Sequence, residues 1–323
     1  MDWPIWKYLP AGLAHRLAPL GLSFYASKMP EEIPQWQPLS WKGLYFPNRL
    51  GLAGGVDKNA EHLRTWQRLG VGFIEIGTVT PYSQKANPGK VVDRDWDNQN
   101  LWNRMGFPNH GAEEVYFNLL SEKPHLKVPV FVNIGKNRSR SNEEAEVDYI
   151  YLADRFSAVA DAFVINVSSP NTQGLRSLQS PEFLRNLLQK LEKITAGKPL
   201  LVKLSPDMEP KDFEDCLEAS ALGGASGFIL TNTTLSRPSQ SPFPKEGGLS
   251  GRSLADLSKK HLKMAVDFLG QHRDEFLLVS VGGVLSPDDV KERLALGADL
   301  VQTYSALVFQ GPQFFRKTAE VLL

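Results

Sequence analysis

Apolar and polar positions alternate in blocks along most of this chain. Short apolar runs fall at 50–53, 73–79, 130–134, 163–167, 200–204, 228–231, 277–281 and 300–304, each the length of a buried strand. Between them lie segments with the periodicity of amphipathic helices, at 60–68, 112–120, 143–158, 181–195, 210–222, 253–269, 287–296 and 312–322. Four open on a proline (Pro181, Pro210, Pro287, Pro312), tolerated in a first turn whose N–H groups have no helical partner. Eight strand–helix units predict an α/β fold, a closed (β/α)8 TIM barrel. An open doubly wound sheet is the rival, but it rarely carries eight even units.

The opening of the chain has a different rhythm. Trp3, Trp6, Leu9, Leu13, Leu17, Leu20 and Phe24 recur at helical spacing, broken at Pro10 and Pro19. That predicts two short helices in residues 1–25, a small N-terminal extension. Such a segment either packs on the barrel or lies on a membrane surface with Trp3 and Trp6 at the interface. Residues 26–48, punctuated by Pro30, Pro34, Pro38 and Pro47, read as a connecting arm, which leaves 49–323 for the barrel.

Composition narrows the function by exclusion. Equal numbers of basic and acidic residues, 36 each, provide no global field to draw the chain to nucleic acid. Cys216, the single cysteine, rules out an internal disulfide; its acidic neighbours Asp215 and Glu218 would raise rather than lower a thiol pKa. The six histidines show no metal-ligand spacing, and no apolar run is long enough to span a bilayer.

In such a barrel, chemistry gathers at the carboxyl ends of the strands. Here those ends carry glycine, amide and hydroxyl clusters: Ala53-Gly54-Gly55-Val56-Asp57-Lys58, Gly77-Thr78, Asn133, Asn166 to Thr172, Lys203, Thr231-Asn232-Thr233, Gly282-Gly283 and Tyr304-Ser305. The richest follows the fourth strand, where Asn166, Ser168, Ser169, Asn171 and Thr172 surround Pro170. Any one cluster could be ordinary turn chemistry. Together they predict a single large site. Gly247 to Gly251 and Val281 to Val284 suit a phosphate, because glycine lets backbone N–H groups approach an anion. Asn103, Asn166, Asn171 and Asn232 suit a flat heterocycle with alternating C=O and N–H groups, and Lys58 a carboxylate. No GxGxxG follows the first strand, which disfavours a Rossmann-type nicotinamide site.

These motifs resemble the dihydroorotate dehydrogenases, and among them the membrane-associated, quinone-dependent class. The likeness runs through Asp57-Lys58-Asn59, Glu75 to Pro81, Asn103-Arg104-Met105-Gly106-Phe107, Asn133 to Asn137, Asn166 to Arg176, Thr231 to Thr234, Gly247 to Gly251, Val281 to Val284 and Leu300 to Ser305. It implies oxidation of dihydroorotate to orotate in pyrimidine synthesis. FMN would be held by Ala53, Gly54, Thr78, Asn133, Asn166, Lys203, Thr231, Gly251, Gly283, Tyr304 and Ser305. Substrate would be held by Lys58, Asn103, Arg104, Met105, Gly106, Phe107, Asn166, Asn171, Asn232 and Thr233. Ser169 takes the place of the catalytic base, with Thr172 and a water beside Phe107 as proton relay. A soluble class carries cysteine at that position, so Ser169 sorts the chain with the quinone users. His15, Arg94 and Tyr304 would line the quinone access.

The implied protein is a monomer bound peripherally at a membrane surface through its N-terminal helices, at the cytoplasmic face of the inner membrane if bacterial. Three departures stand out: Gly54-Gly55-Val56-Asp57 where Ala-Gly-Phe-Asp is commoner, no Pro-Arg pair in Lys90 to Arg94, and Ser305 in place of threonine. A soluble-class enzyme using fumarate or a nicotinamide-linked partner, and a flavoprotein that has lost turnover, are the alternatives.

Overall fold

The computed structural model describes residues 5–323, apart from the side chains of Ile5, His15 and Arg16. A 3-10 turn, Ile5–Tyr8, precedes helix α1 (Ala11–Ala26). Strands β1 (Leu39–Trp41) and β2 (Leu44–Phe46) form a hairpin, followed by β3 (Leu50–Asp57), α2 (Leu63–Leu69) and β4 (Ile74–Val79). An excursion at the top of the molecule then contributes β5 (Tyr82–Gln84), β6 (Val92–Asp95), β7 (Asn100–Asn103) and β8 (Asn109–Gly111), ahead of α3 (Ala112–Glu122). The alternation resumes with β9 (Val130–Ile134), α4 (Ala145–Phe156), β10 (Ala162–Asn166), α5 (Pro181–Glu192), β11 (Leu200–Leu204), α6 (Pro210–Leu222) and β12 (Gly227–Leu230). The chain finishes with β13 (Gly248–Gly251), α7 (Ala255–Leu269), β14 (Leu277–Val281), α8 (Pro287–Ala295), β15 (Leu300–Thr303), α9 (Ser305–Phe309) and α10 (Phe314–Leu322).

Strands β3, β4, β9, β10, β11, β12, β14 and β15 close into one parallel barrel, in the order the apolar runs predict. Alternate residues on each strand serve two cores. One set, with Ile165, Val202, Phe228 and Leu278, packs outward against the helices. The other, with Phe131, Val164, Leu201, Ile229 and Val279, fills the barrel interior. Helix starts follow local chemistry: Ser286 and Asp289 form a reciprocal capping box across the first turn that Pro287 opens, and Ser180 caps the helix opened by Pro181.

The N-terminal region differs from expectation in two places. Pro19 does not split the first segment; α1 runs through it as one helix. Proline removes one amide donor, and packing of α1 against α2 and β6 supports the rest. The stretch read as a connecting arm holds the β1–β2 hairpin, whose Phe46 is fully buried. Its ring meets Phe73 and Phe131 edge-on, at 5.8 and 6.1 Å, and so closes the lower end of the barrel. With that end shut, the site belongs to the carboxyl ends of the strands. Above those ends stand the excursion strands, β6 and β7 joined by β13 in a three-stranded sheet and β5 and β8 as a pair.

Candidate active site

A cavity of about 780 Å³ opens at the carboxyl ends of the barrel strands and continues beneath α1. Its inner part is walled by polar strand ends, its outer part by apolar groups of α1, β6, β7 and α9.

At the bottom lies a charge network. Glu75 on β4 is fully buried, which is tolerable only because donors converge on it. Its Oε1 accepts from Asn133 Nδ2 at 2.5 Å and pairs with Lys203 Nζ at 2.9 Å; its Oε2 accepts from Gln302 Nε2 at 2.7 Å. Asn133 Oδ1 and Gln302 Oε1 face no donor although both atoms are buried, and both residues line the cavity. Two buried acceptors at the wall suit a ligand that brings N–H groups.

The end of β10 organises the next layer. Asn166 Nδ2 donates to Thr78 Oγ1 at 2.8 Å, and Asn166 O accepts from the buried Tyr149 hydroxyl at 2.9 Å. Asn232 Nδ2 donates to Ser168 Oγ at 3.0 Å, while Asn171 Nδ2 donates to Asn103 Oδ1 at 2.8 Å. The two adjacent serines are therefore unlike. Ser168 is completely buried and engaged in this network, whereas Ser169 lines the cavity and its Oγ accepts from the Asn171 amide at 3.2 Å. Thr172 lies just behind the wall, its buried Oγ1 without a partner. Arg176 ties this loop down by donating to Ser168 O at 2.9 Å and Thr233 O at 2.8 Å.

Two cations stand at the rim. Lys58 donates to Gly55 O at 2.7 Å, and burial pushes its pKa down to about 8 despite Asp57 and Glu61 nearby. Arg94 on β6 spans the gap to the N-terminal segment, donating to Trp6 O at 2.6 Å and to Leu9 O; burial lowers its pKa too. Trp6 is fixed from the other side by its indole N–H on Val308 O at 2.7 Å. Tyr304 touches both the barrel interior and the cluster of Leu101, Leu285 and Phe309, and burial raises its phenol to about 12, so it stays neutral. Phe107, at φ +56, holds its ring at the wall from a backbone conformation that non-glycine residues seldom adopt.

Most residues singled out in the sequence meet here: Ala53, Gly54, Lys58, Thr78, Asn103, Met105, Gly106, Phe107, Asn133, Asn166, Ser169, Asn171, Lys203, Thr231, Asn232, Thr233, Gly283, Tyr304 and Ser305 all border the cavity. Three do not. The Arg104 side chain turns outward, to Pro88 O at 2.6 Å and Glu246 at 3.5 Å, while its neighbours Asn103 and Met105 line the cavity. Gly251 ends strand β13 (Gly248–Gly251), which pairs with β7, and Ser250 beside it is the member that lines the cavity. Thr172 sits behind the wall. The side chain of His15, and Trp3, lie outside the described residues. Glu75 and Gln302 were missing from the predicted site set; a charged or amide side chain inside an apolar strand run was the signal that could have found them.

Cys216 is a packed residue: its thiol donates to Gln179 O at 3.4 Å, and burial raises its pKa to about 12. No helix among the described residues is long and apolar enough to cross a membrane.

Fold and site together define a (β/α)8-barrel protein with a deep cavity at the strand ends, polar at its floor and continued by an apolar passage under an N-terminal helix. The family model described as dihydroorotate dehydrogenase matches residues 39–323, and the chain belongs to that family, a flavin-dependent group of oxidoreductases. Among relatives, a protein of Thermus thermophilus named dihydroorotate dehydrogenase (quinone) is 45% identical over 278 residues, covering 85% of this chain and 79% of its own. One of Dichelobacter nodosus with the same name is 38% identical over 324 residues, covering 97% and 95%. A crystal structure of the Eimeria tenella enzyme in complex with ferulenol superposes with a TM-score of 0.87 at 30% identity, over 98% of this chain and 91% of that one.

Proposed function

We propose that this protein oxidises dihydroorotate to orotate and passes the electrons to a quinone, with FMN as its cofactor. The observation that carries the reading is the division of the two serines: Ser168 is locked in the network while Ser169 faces the same cavity as Lys203, Asn133 and Lys58.

The floor suits a flavin. Asn133 and Gln302 would offer acceptors to the N–H groups of a flat ring, Lys203 a positive charge to its electron-rich part, and Gly282 and Gly283 backbone N–H groups to its phosphate. Asn166, Thr78, Thr231, Tyr304 and Ser305 complete that wall. FMN, when bound, supplies the hydride acceptor. The remaining groups serve the substrate. Lys58 faces its carboxylate, and Asn103, Asn166, Asn171 and Asn232 hold the amide edges of its ring. Ser169 takes the proton from the carbon beside the carbonyl. A serine hydroxyl is a weak base, so it needs an exit for its own proton. The unpartnered Thr172 hydroxyl would offer one, relayed by a water admitted beside Phe107. The amide of Asn171, already donating to Ser169 Oγ, steadies the oxygen while its charge changes.

The second substrate enters by the apolar passage. Leu9, Ala14, Leu17 and Leu22 line it on one side, Leu101, Val308 and Tyr304 on the other, with Arg94 at its edge as a donor for a quinone carbonyl. Leu20 and Phe24 of α1 are 74% and 67% exposed, an apolar face suited to the membrane surface where such a quinone dissolves. Peripheral attachment there, as a monomer, fits this arrangement. An anaerobic titration tests the whole reading: dihydroorotate should bleach the flavin absorbance and a short-chain quinone restore it. Failure of dihydroorotate to bleach it, or reoxidation by fumarate in place of quinone, would overturn it.

A further inference from the structure

Arg293 on α8 is the largest fully buried side chain of the described residues and forms no ion pair there. Its charge is met by four oxygens. Nη1 donates to Ser258 Oγ at 2.7 Å and Ser280 Oγ at 3.0 Å; Nη2 donates to Ala255 O at 3.0 Å and Gly282 O at 2.8 Å. Ser258 in turn donates to Val281 O at 2.8 Å. The guanidinium thus gathers, directly or through Ser258, the carbonyls of Val281, Gly282 and Ala255.

That gathering has a directional consequence. A trans peptide points its N–H opposite to its C=O, so drawing Gly282 O toward Arg293 turns the Gly283 N–H the other way, toward the cavity that Gly282 and Gly283 line. Both glycines have positive φ, 119° and 72°, and a Cβ on Gly283 would lie 2.5 Å from the Cα of Ala255. The turn therefore rests against the start of α7, at the carbonyl that Arg293 also holds. Burial lowers the guanidinium pKa to about 10, leaving it charged at neutral pH.

We infer that Arg293 is a positioning residue for a phosphate group at the Gly282–Gly283 turn: it orients the turn's N–H into the cavity and places a buried positive charge behind it. The inference rests on the reading of that turn as the FMN phosphate site. It concerns a residue that touches neither cofactor nor substrate.

Binding of FMN and of riboflavin, which lacks the phosphate, to the flavin-stripped protein separates this role from general support of the fold. Wild type should prefer FMN. Arg293→Met should weaken FMN about tenfold to a hundredfold, the scale of lost hydrogen bonds to a charged group, and change riboflavin binding less than about threefold. Arg293→Lys should recover part of the preference. Ser258→Ala, a smaller change that preserves folding should Arg293→Met not fold, should move the FMN-to-riboflavin ratio in the same direction. An unchanged ratio in these variants, or equal weakening of both ligands, overturns the positioning role. A wild type that does not prefer FMN overturns the phosphate reading of the turn and this role with it.

Discussion

Replacing Lys203 by methionine keeps most of the side-chain length and removes the one cation, among the described residues, bonded to the fully buried carboxylate of Glu75. Both partners are under a tenth exposed, so solvent does little to screen the loss. Removing one member of a buried ion pair costs about 3–5 kcal/mol. Asn133 and Gln302 still donate to Glu75, which favours the lower half of that range. For a chain of 323 residues, at about 2.1 cal/mol/K of unfolding entropy per residue, 4 kcal/mol corresponds to a fall in Tm of about 6 °C. Neutralising the stranded carboxylate as well, in Lys203→Met with Glu75→Gln, should restore at least half of the loss. Thermal melts and urea titrations of the flavin-stripped variants read both values. A single variant within about 1 kcal/mol of wild type, or a double variant no better than the single, would refute the argument that the barrel floor is held by this pair.

Other variants probe the rest of the cavity. Lys58, with a pKa of about 8 in the free protein, is charged below that pH and neutral above it, and a carboxylate favours the charged form. Orotate affinity should be full below about pH 7 and fall as pH rises through 8, with proton uptake on binding; Lys58→Met should weaken binding and abolish the inflection, as calorimetry in buffers of different ionisation heat would show. Arg94→Ala should slow quinone reoxidation in stopped flow and leave reduction by dihydroorotate within about twofold, since it borders only the apolar passage. Leu20→Ser with Phe24→Ser should reduce sedimentation with lipid vesicles without changing turnover of a water-soluble quinone.

Features whose cause is local could be read from the sequence, and features made by distant contacts could not. The barrel is local in this sense: each strand is a short apolar run, each helix an amphipathic one, and the register follows from closing eight of them. The β1–β2 hairpin escaped because its three-residue strands are too short to show alternation; only the packing of Phe46 on Phe73 and Phe131 reveals their purpose. Gly247 to Gly251 does not show its strand in the sequence because its glycines speak for conformational freedom, yet Gly248–Gly251 pairs antiparallel with β7, and at Gly251 that freedom serves a close approach to Gln99 and Asn100. Pro19 looked like a helix boundary, but tertiary contacts outweigh one lost amide donor. The site residues gathered as expected because they sit at strand ends, where the barrel itself dictates convergence. Glu75, Gln302 and Arg293 act through partners far away in the chain, and nothing beside them in sequence announces those partners.

The most direct measurement is the rate at which dihydroorotate reduces the bound flavin in Ser169→Ala, followed anaerobically in a single turnover. If Ser169 removes the proton, the variant should retain FMN, bind orotate with near-normal affinity, and reduce the flavin at least a hundredfold more slowly, the scale of a lost general base. A single-turnover rate within a few fold of wild type would contradict the account.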